Sequence, residues 1–354
     1  MRSAAWIDRA RLAARTVRMA FRRRGVILLY HRIAAPRSDP LRLCVSPEHF
    51  RRHLEVLRRG YSPVALEELA AARAAGTIPA RAVAITFDDG YADNGRTAAP
   101  LLKAEGLRAT VFVAGTCLEG EPFFHDELER ILIRSPRLPQ TVALTLDGRR
   151  HEWDFGPWSR LPKDPGAEYW TWNVESPADP TPRHRCYREL FALLRGASDQ
   201  TRRRAIRSLR AAAGGGPAAE RIWMTKAEMR SAAADGTLTF GAHTRSHPAL
   251  NRLSAEKQRG EMLAGKRLLE AAIRRPVRSF AYPYGSPWDA SAETVRLAGE
   301  AGFDLACANT PGPVDSESDP FWLPRFLVRD WDGEEFARRL RDFFRPVAAI
   351  PPRG

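Results

Sequence analysis

The run Ala82-Val83-Ala84-Ile85-Thr86-Phe87-Asp88-Asp89-Gly90 governs how the rest of the chain is read. A short apolar stretch that stops at Asp and Gly reads as a strand running into a turn. Two adjacent carboxylates at a strand's C-terminal edge repel each other, which is costly unless a cation or a shared proton offsets it. Gly90 permits the sharp turn that leaves both side chains near one point. The ordinary alternative is a plain Asp-Gly turn.

Five further stretches share this character: Val26–Tyr30, Ala109–Ala114, Leu238–His243, Val277–Tyr282 and Asp304–Ala308. Between them lie helical patterns at 47–59, 66–75, 95–105, 225–235, 254–273 and 290–301. Ser46-Pro47 supplies a cap and first-turn pair, and Gly76, Gly106 and Gly302 sit where helices should stop. Strand–helix alternation predicts a parallel sheet with crossover helices, either an α/β barrel or a doubly wound sheet. Residues 119–222 break the rhythm. They are rich in Pro, Trp and Gly up to Pro182, with a hairpin-like pair around Asp147-Gly148, and then helical and basic over 184–212. They read as a long insertion between two core strands, of the kind that shapes a binding site.

The 354 residues allow one large domain or two ordinary ones, and 44% apolar, 28% charged and 9% aromatic residues exclude a disordered or fibrous chain. The longest apolar run is only Val26–Tyr30, so no spanning helix is expected. The net charge of +14 is confined to residues 1–24 and 181–221, and the rest balances. That distribution, with no recognisable module, argues against nucleic acid as a partner. Residues 1–24 form a basic amphipathic pattern (Trp6, Ala10, Ala13, Val17 and Phe21 on one face), suited to packing on the domain or to peripheral contact with an anionic membrane. The segment lacks a secretory h-region, so it does not read as a standard signal peptide, and Cys44, Cys117, Cys186 and Cys307 are scattered. A cytoplasmic protein with reduced thiols, peripheral on the inner face of the membrane in the second case, is the expectation. The tail 346–354 reads as loose.

A second cluster follows another strand, Gly241-Ala242-His243-Thr244-Arg245-Ser246-His247. Two His four apart can converge on one ion. Two His and one carboxylate make a three-ligand divalent site with open positions, leaving the second carboxylate free to act on water. A third strand runs into Tyr282-Pro283-Tyr284-Gly285, whose aromatics and N–H groups could line a sugar or acetyl pocket.

TFDDG, HTRSH and FAYPYG, in this order on successive strands, resemble the polysaccharide deacetylases of the NodB-homology group, carbohydrate esterase family 4. The resemblance covers residues 26–32, 81–118 and 222–330. It implies a distorted (β/α) barrel of about seven strands, here with a long insertion. It implies a divalent metal ion, zinc with cobalt or nickel as alternatives, and removal of N- or O-acetyl groups from sugars. Residue by residue it implies that Asp88 is the general base, that Asp89, His243 and His247 hold the metal, and that the Tyr284 N–H helps form an oxyanion hole.

Two departures stand out. Where the family has an Arg that orients the catalytic Asp, this chain has Ala281, and Arg325 is the candidate substitute. The family's C-terminal general-acid His is missing, since no His follows His247. His31, at the end of Val26–Tyr30, is the candidate acid, resembling circularly permuted deacetylases in which the first strand replaces the last. His125 is the runner-up, or a substrate contact at the mouth of the insertion.

The expected function is a hydrolase of carbon–nitrogen bonds other than peptide bonds. It would remove N-acetyl groups from a polysaccharide or its lipid-linked oligosaccharide precursor. A deformylase, an O-acetyl esterase and a catalytically dead carbohydrate-binding relative are the alternatives.

Overall fold

The computed structural model describes residues 23–146, 148–214, 221–345 and 351–352. The basic N-terminal segment and the C-terminal tail therefore lie outside the described residues, apart from 23–24 and 351–352.

Twelve strands are described: β1 (Gly25–Tyr30), β2 (Arg32–Ile33), β3 (Cys44–Val45), β4 (Ser62–Pro63), β5 (Ala82–Phe87), β6 (Ala109–Val113), β7 (Thr141–Leu146), β8 (Arg149–Asp154), β9 (Leu238–Ala242), β10 (Ser279–Ala281), β11 (Leu305–Cys307) and β12 (Phe326–Leu327). Seven of them form one sheet in the order β11-β10-β9-β6-β5-β1-β12, and β4 lies beside the start of β5. Every pairing in this sheet is parallel. The sheet curls with helices outside it, the (β/α) barrel arrangement expected. Among the described residues no ladder joins its two edges. Instead Gly25 bridges Val314 and Cys307 bridges Leu323, so the segment after β11 closes the gap.

The strands show why the sequence runs are apolar throughout. Val26, Leu28 and Tyr30 of β1 and Val83, Ile85 and Phe87 of β5 pack outward, in one large core beneath the helices. Ile27, Ala82, Ala84, Phe112 and Ala281 fill the barrel interior. Successive strand residues face opposite sides. Extending that alternation past the strand ends puts His31, Asp88 and His243 on the interior face, at the C-terminal mouth.

Helix Pro47–Gly60 starts as expected, with the Ser46 hydroxyl accepting from the His49 N–H. The expected helix 95–105 begins instead with a π turn, Asn94–Ala98, which continues as the α-helix Ala99–Ala104. The Asn94 side-chain amide donates to the His31 carbonyl at 2.8 Å, so this turn is tied to the barrel mouth. The expected helical stretch 184–212 is two helices, Pro182–Arg195 and Asp199–Ala212, because Ser198 caps a new start after Gly196. With the antiparallel β7–β8 hairpin they enclose a second apolar core, from Phe124 to Leu209. The four cysteines are buried and free. Among the described residues no helix is long and apolar enough to cross a membrane.

Helix Ala255–Ile273 presses its backbone on the loop that follows β9. A Cβ on Gly265 would lie 2.5 Å from the Thr244 carbonyl carbon and oxygen. Backbone cannot yield as a side chain can. Gly265→Ala is expected to cost about 1–3 kcal/mol and to displace the His243–His247 loop. Urea unfolding measures the first effect and metal affinity the second; a variant matching wild type in both would mean that the close approach is not tight.

Candidate active site

Strand register assembles the site. Tyr30 pairs with Phe87, so the next residues, His31 and Asp88, leave adjacent strands side by side, and the Asp88 N–H donates to the Tyr30 carbonyl at 3.0 Å. Val113 pairs with Ala242, and the His243 N–H donates to the Val113 carbonyl. The parallel sheet thus delivers all three residues to the same end.

Asp89, His243 and His247 are buried, each offering a ligand atom within 4.8 Å of the others. Asp89 Oδ1 lies 3.6 Å from His243 Nε2 and 3.4 Å from His247 Nε2, and it has no hydrogen-bond partner. Two atoms each about 2.1 Å from one tetrahedral ion lie about 3.4 Å apart. An orphaned buried carboxylate oxygen facing two imidazole nitrogens at that separation fits a divalent ion. His243 is oriented for it, because its Nδ1 lies 2.7 Å from the Ala281 carbonyl. An Nδ1–H donated there leaves the Nε2 lone pair for a metal. Burial first, and then the charge of Asp88, pushes the Asp89 carboxyl well above the usual range. Burial likewise lowers His243 and His247, keeping both imidazoles neutral, the form that ligates.

The loops that carry these residues hold unusual backbone. Asp89 (φ 79°), Thr244 (63°), His247 (54°) and Tyr284 (60°) are four of the seven described non-glycine residues with positive φ. Such geometry persists only where the surroundings impose it. Here Glu261 takes the Arg245 and Ser246 N–H groups at 3.0 and 2.7 Å, and Gly115 donates to the Thr244 carbonyl at 3.0 Å.

Asp88 is treated differently from its neighbour. Arg325 grips it with a two-pronged bond, Nη1–Oδ1 2.7 Å and Nη2–Oδ2 2.8 Å, while its Nε donates to the Ala308 carbonyl. Burial raises the Asp88 carboxyl, but the Arg325 and His243 fields and the Arg325 bonds outweigh it, and the net shift is downward. His31 is half-buried with an unpartnered Nδ1. Burial pulls it down to about 4 against the opposing field of Asp88.

A sequence profile described as polysaccharide deacetylase matches residues 75–134 and 206–306, which carry Asp88, Asp89, His243 and His247. Those two segments are what the chain has in common with polysaccharide deacetylases. It is 37% identical over 91 residues to "Putative polysaccharide deacetylase YxkH" of Bacillus subtilis, an alignment spanning 25% of this chain and 31% of that relative. Its fold is similar to that of the Streptococcus pyogenes deacetylase PplD solved with acetate, at 18% identity and TM-score 0.54, covering 90% of this chain and 98% of that one. It is similar to IcaB from Ammonifex degensii at 19% identity and TM-score 0.54, covering 90% and 97%.

Against this family's pattern, the structure brings Arg325 to Asp88 from the residue before β12. Ala281 lines the interior with Phe112, whose ring centroid lies 5.5 Å from the Arg325 guanidinium carbon. Tyr284 sits beside His247, ring centroids 4.9 Å apart. His125 is buried, its Nε2 3.3 Å from the Tyr91 hydroxyl and its Nδ1 unpartnered, and burial lowers it to about 3. Sequence reasoning missed Asp126, which shares the Tyr91 hydroxyl and is raised by burial to about 7. It also missed Arg202, whose Nη1 donates to the His247 carbonyl at 2.9 Å. Asp126 stands beside His125 in a stretch with no strand signal, and Arg202 looks like one more surface charge in an Arg-rich run.

Removing one partner of a buried ion pair strands the other. Arg325→Met is expected to destabilise the fold by about 3–5 kcal/mol, most of it recovered in Arg325→Met with Asp88→Leu. Equilibrium unfolding checks both; a single variant within about 1 kcal/mol of wild type would show that the pair does not hold the barrel mouth.

Proposed function

We propose that the protein is a metal-dependent hydrolase that removes N-acetyl groups from a polysaccharide or its lipid-linked oligosaccharide precursor. The observation that carries this reading is the convergence of two differently prepared carboxylates at one barrel mouth. Asp89 faces two neutral imidazoles, and Asp88 is held ionised by Arg325. Similarity to polysaccharide deacetylases over residues 75–134 and 206–306 supports the acyl-sugar chemistry.

Asp89, His243 and His247 would hold the ion, zinc with cobalt or nickel as alternatives. The chemistry supplied by a divalent ion there is Lewis acidity toward the acyl oxygen and a lowered pKa for water. Asp88, fixed in orientation by both guanidinium prongs, accepts the proton of the attacking water. The backbone N–H of Tyr284 is the proposed donor to the oxygen on which charge develops. His31, beside Asp88 by strand register, delivers a proton to the departing nitrogen. The Asp88 charge favours its imidazolium, countering the burial that disfavours it. His125, buried against Tyr91 and Phe123, is assigned to the support of this wall rather than to proton transfer.

The test combines metal content with acetate release from N-acetylated oligosaccharides. About one ion per chain is expected in wild type and in Asp88→Asn, and none in His243→Ala. Asp88→Asn should abolish turnover, and His31→Ala should lower kcat by about 10²–10⁴. Near-normal rates in Asp88→Asn would overturn the base assignment, and less than a tenfold loss in His31→Ala the acid assignment. A protein that takes up no ion even with added zinc would overturn the metal site.

A further inference from the structure

A cavity of about 230 Å³ opens beside the triad, with Ser246 and His247 on one wall. Helix Asp199–Ala212 forms the opposite wall and contributes Arg202, Arg203, Arg207 and Arg210. Arg203, Arg207 and Arg210 follow the three-to-four-residue spacing that puts side chains on one helical face. The remaining lining is partly apolar, with Phe123, Phe124 and Ile206.

The charges around it do not balance. Arg203 is paired with Glu121 at 2.5 Å and Asp199 at 2.8 Å. Arg210 shares Glu127 with Arg130. Arg207 is exposed and has no ion-pair partner among the described residues. Arg202 is only 5% exposed, and its bonds go to uncharged oxygens: Leu194 O at 2.8 Å, His247 O at 2.9 Å, Arg195 O at 2.6 Å and Tyr284 Oη at 3.5 Å. Four guanidiniums therefore line the cavity against three carboxylates, Glu121, Glu127 and Asp199, and one of those cations is buried. Arg183 is also capped by carbonyls, but it is sealed within the second core. Arg202 and Arg207 line open space next to a metal ligand. Planar forks of this kind match carboxylate and phosphate oxygens.

We propose that this cavity is a subsite for an oxyanion group, phosphate or carboxylate, carried by the acylated sugar itself. The inference rests on the deacetylase reading of the neighbouring site and adds the chemical class of its substrate. The apolar wall of Phe123, Phe124 and Ile206 keeps the anion poorly hydrated, which strengthens its attraction to the guanidiniums.

The experiment uses the zinc-loaded protein and three substrates: N-acetylglucosamine 1-phosphate, an N-acetylated amino uronic acid, and the neutral methyl glycoside of N-acetylglucosamine. At least one anionic substrate is expected to exceed the neutral one tenfold in kcat/KM, and the better of the two identifies the group. That ratio should fall at least fivefold in Arg207→Gln, further in Arg207→Glu, and also as salt rises. Arg207 is exposed, so both variants are expected to fold. Equal turnover of all three substrates, or a preference that neither variant moves, overturns the subsite while leaving the deacetylase reading standing. If none is turned over, that reading fails by itself, and calorimetric binding of N-acetylglucosamine 1-phosphate decides the subsite. Binding weakened by Arg207→Gln supports it, and no binding at millimolar concentration overturns it.

Discussion

Two carboxylates, one residue apart, are buried at the end of one strand, and the rest of the site answers that electrostatic problem. Both cannot be left charged and unpartnered in a low-dielectric interior. Asp88 receives a complete guanidinium fork. Asp89 turns away through a left-handed backbone and faces two imidazoles. Chemically identical neighbours are thereby pushed in opposite directions, one toward the carboxylate and the other toward the acid in the absence of a cation. Divergent environments for paired acids are a general route to divided roles in one site.

Precision at the His243–His247 loop comes from backbone packed on backbone. Helix Ala255–Ile273 meets the His243–His247 loop where Gly265 leaves no room for a side chain, and Glu261 from the same helix takes two of the loop's N–H groups. The helix is an outer element of the barrel, yet it fixes the path of a turn containing two positive-φ residues, Thr244 and His247. Stability of that layer and geometry of the Asp89–His243–His247 cluster are therefore one property.

The sequence was most legible where one strand or one turn carried the whole signal. Six of the strands of the curled sheet announced themselves as apolar runs, and the triad stood on two compact motifs at strand ends. The seventh, β12, is only Phe326–Leu327, too short for any periodicity. Arg325 could be nominated because a missing arginine at Ala281 posed a question, but only the fold shows its guanidinium reaching Asp88. His31 became conspicuous by position, and register explains why, since β1 lies directly beside β5. Asp126 and Arg202 were invisible. Their environments are made by elements that meet in space with no local pattern in the chain.

The grip of Arg325 on Asp88 spans 237 residues. During synthesis at roughly 5–20 residues per second, the strand bearing both acids waits on the order of ten seconds to a minute for its partner cation. Throughout that interval the barrel mouth must remain open to water or borrow another counter-charge. The architecture thus postpones the assembly of the barrel mouth until the segment carrying Arg325 has been made.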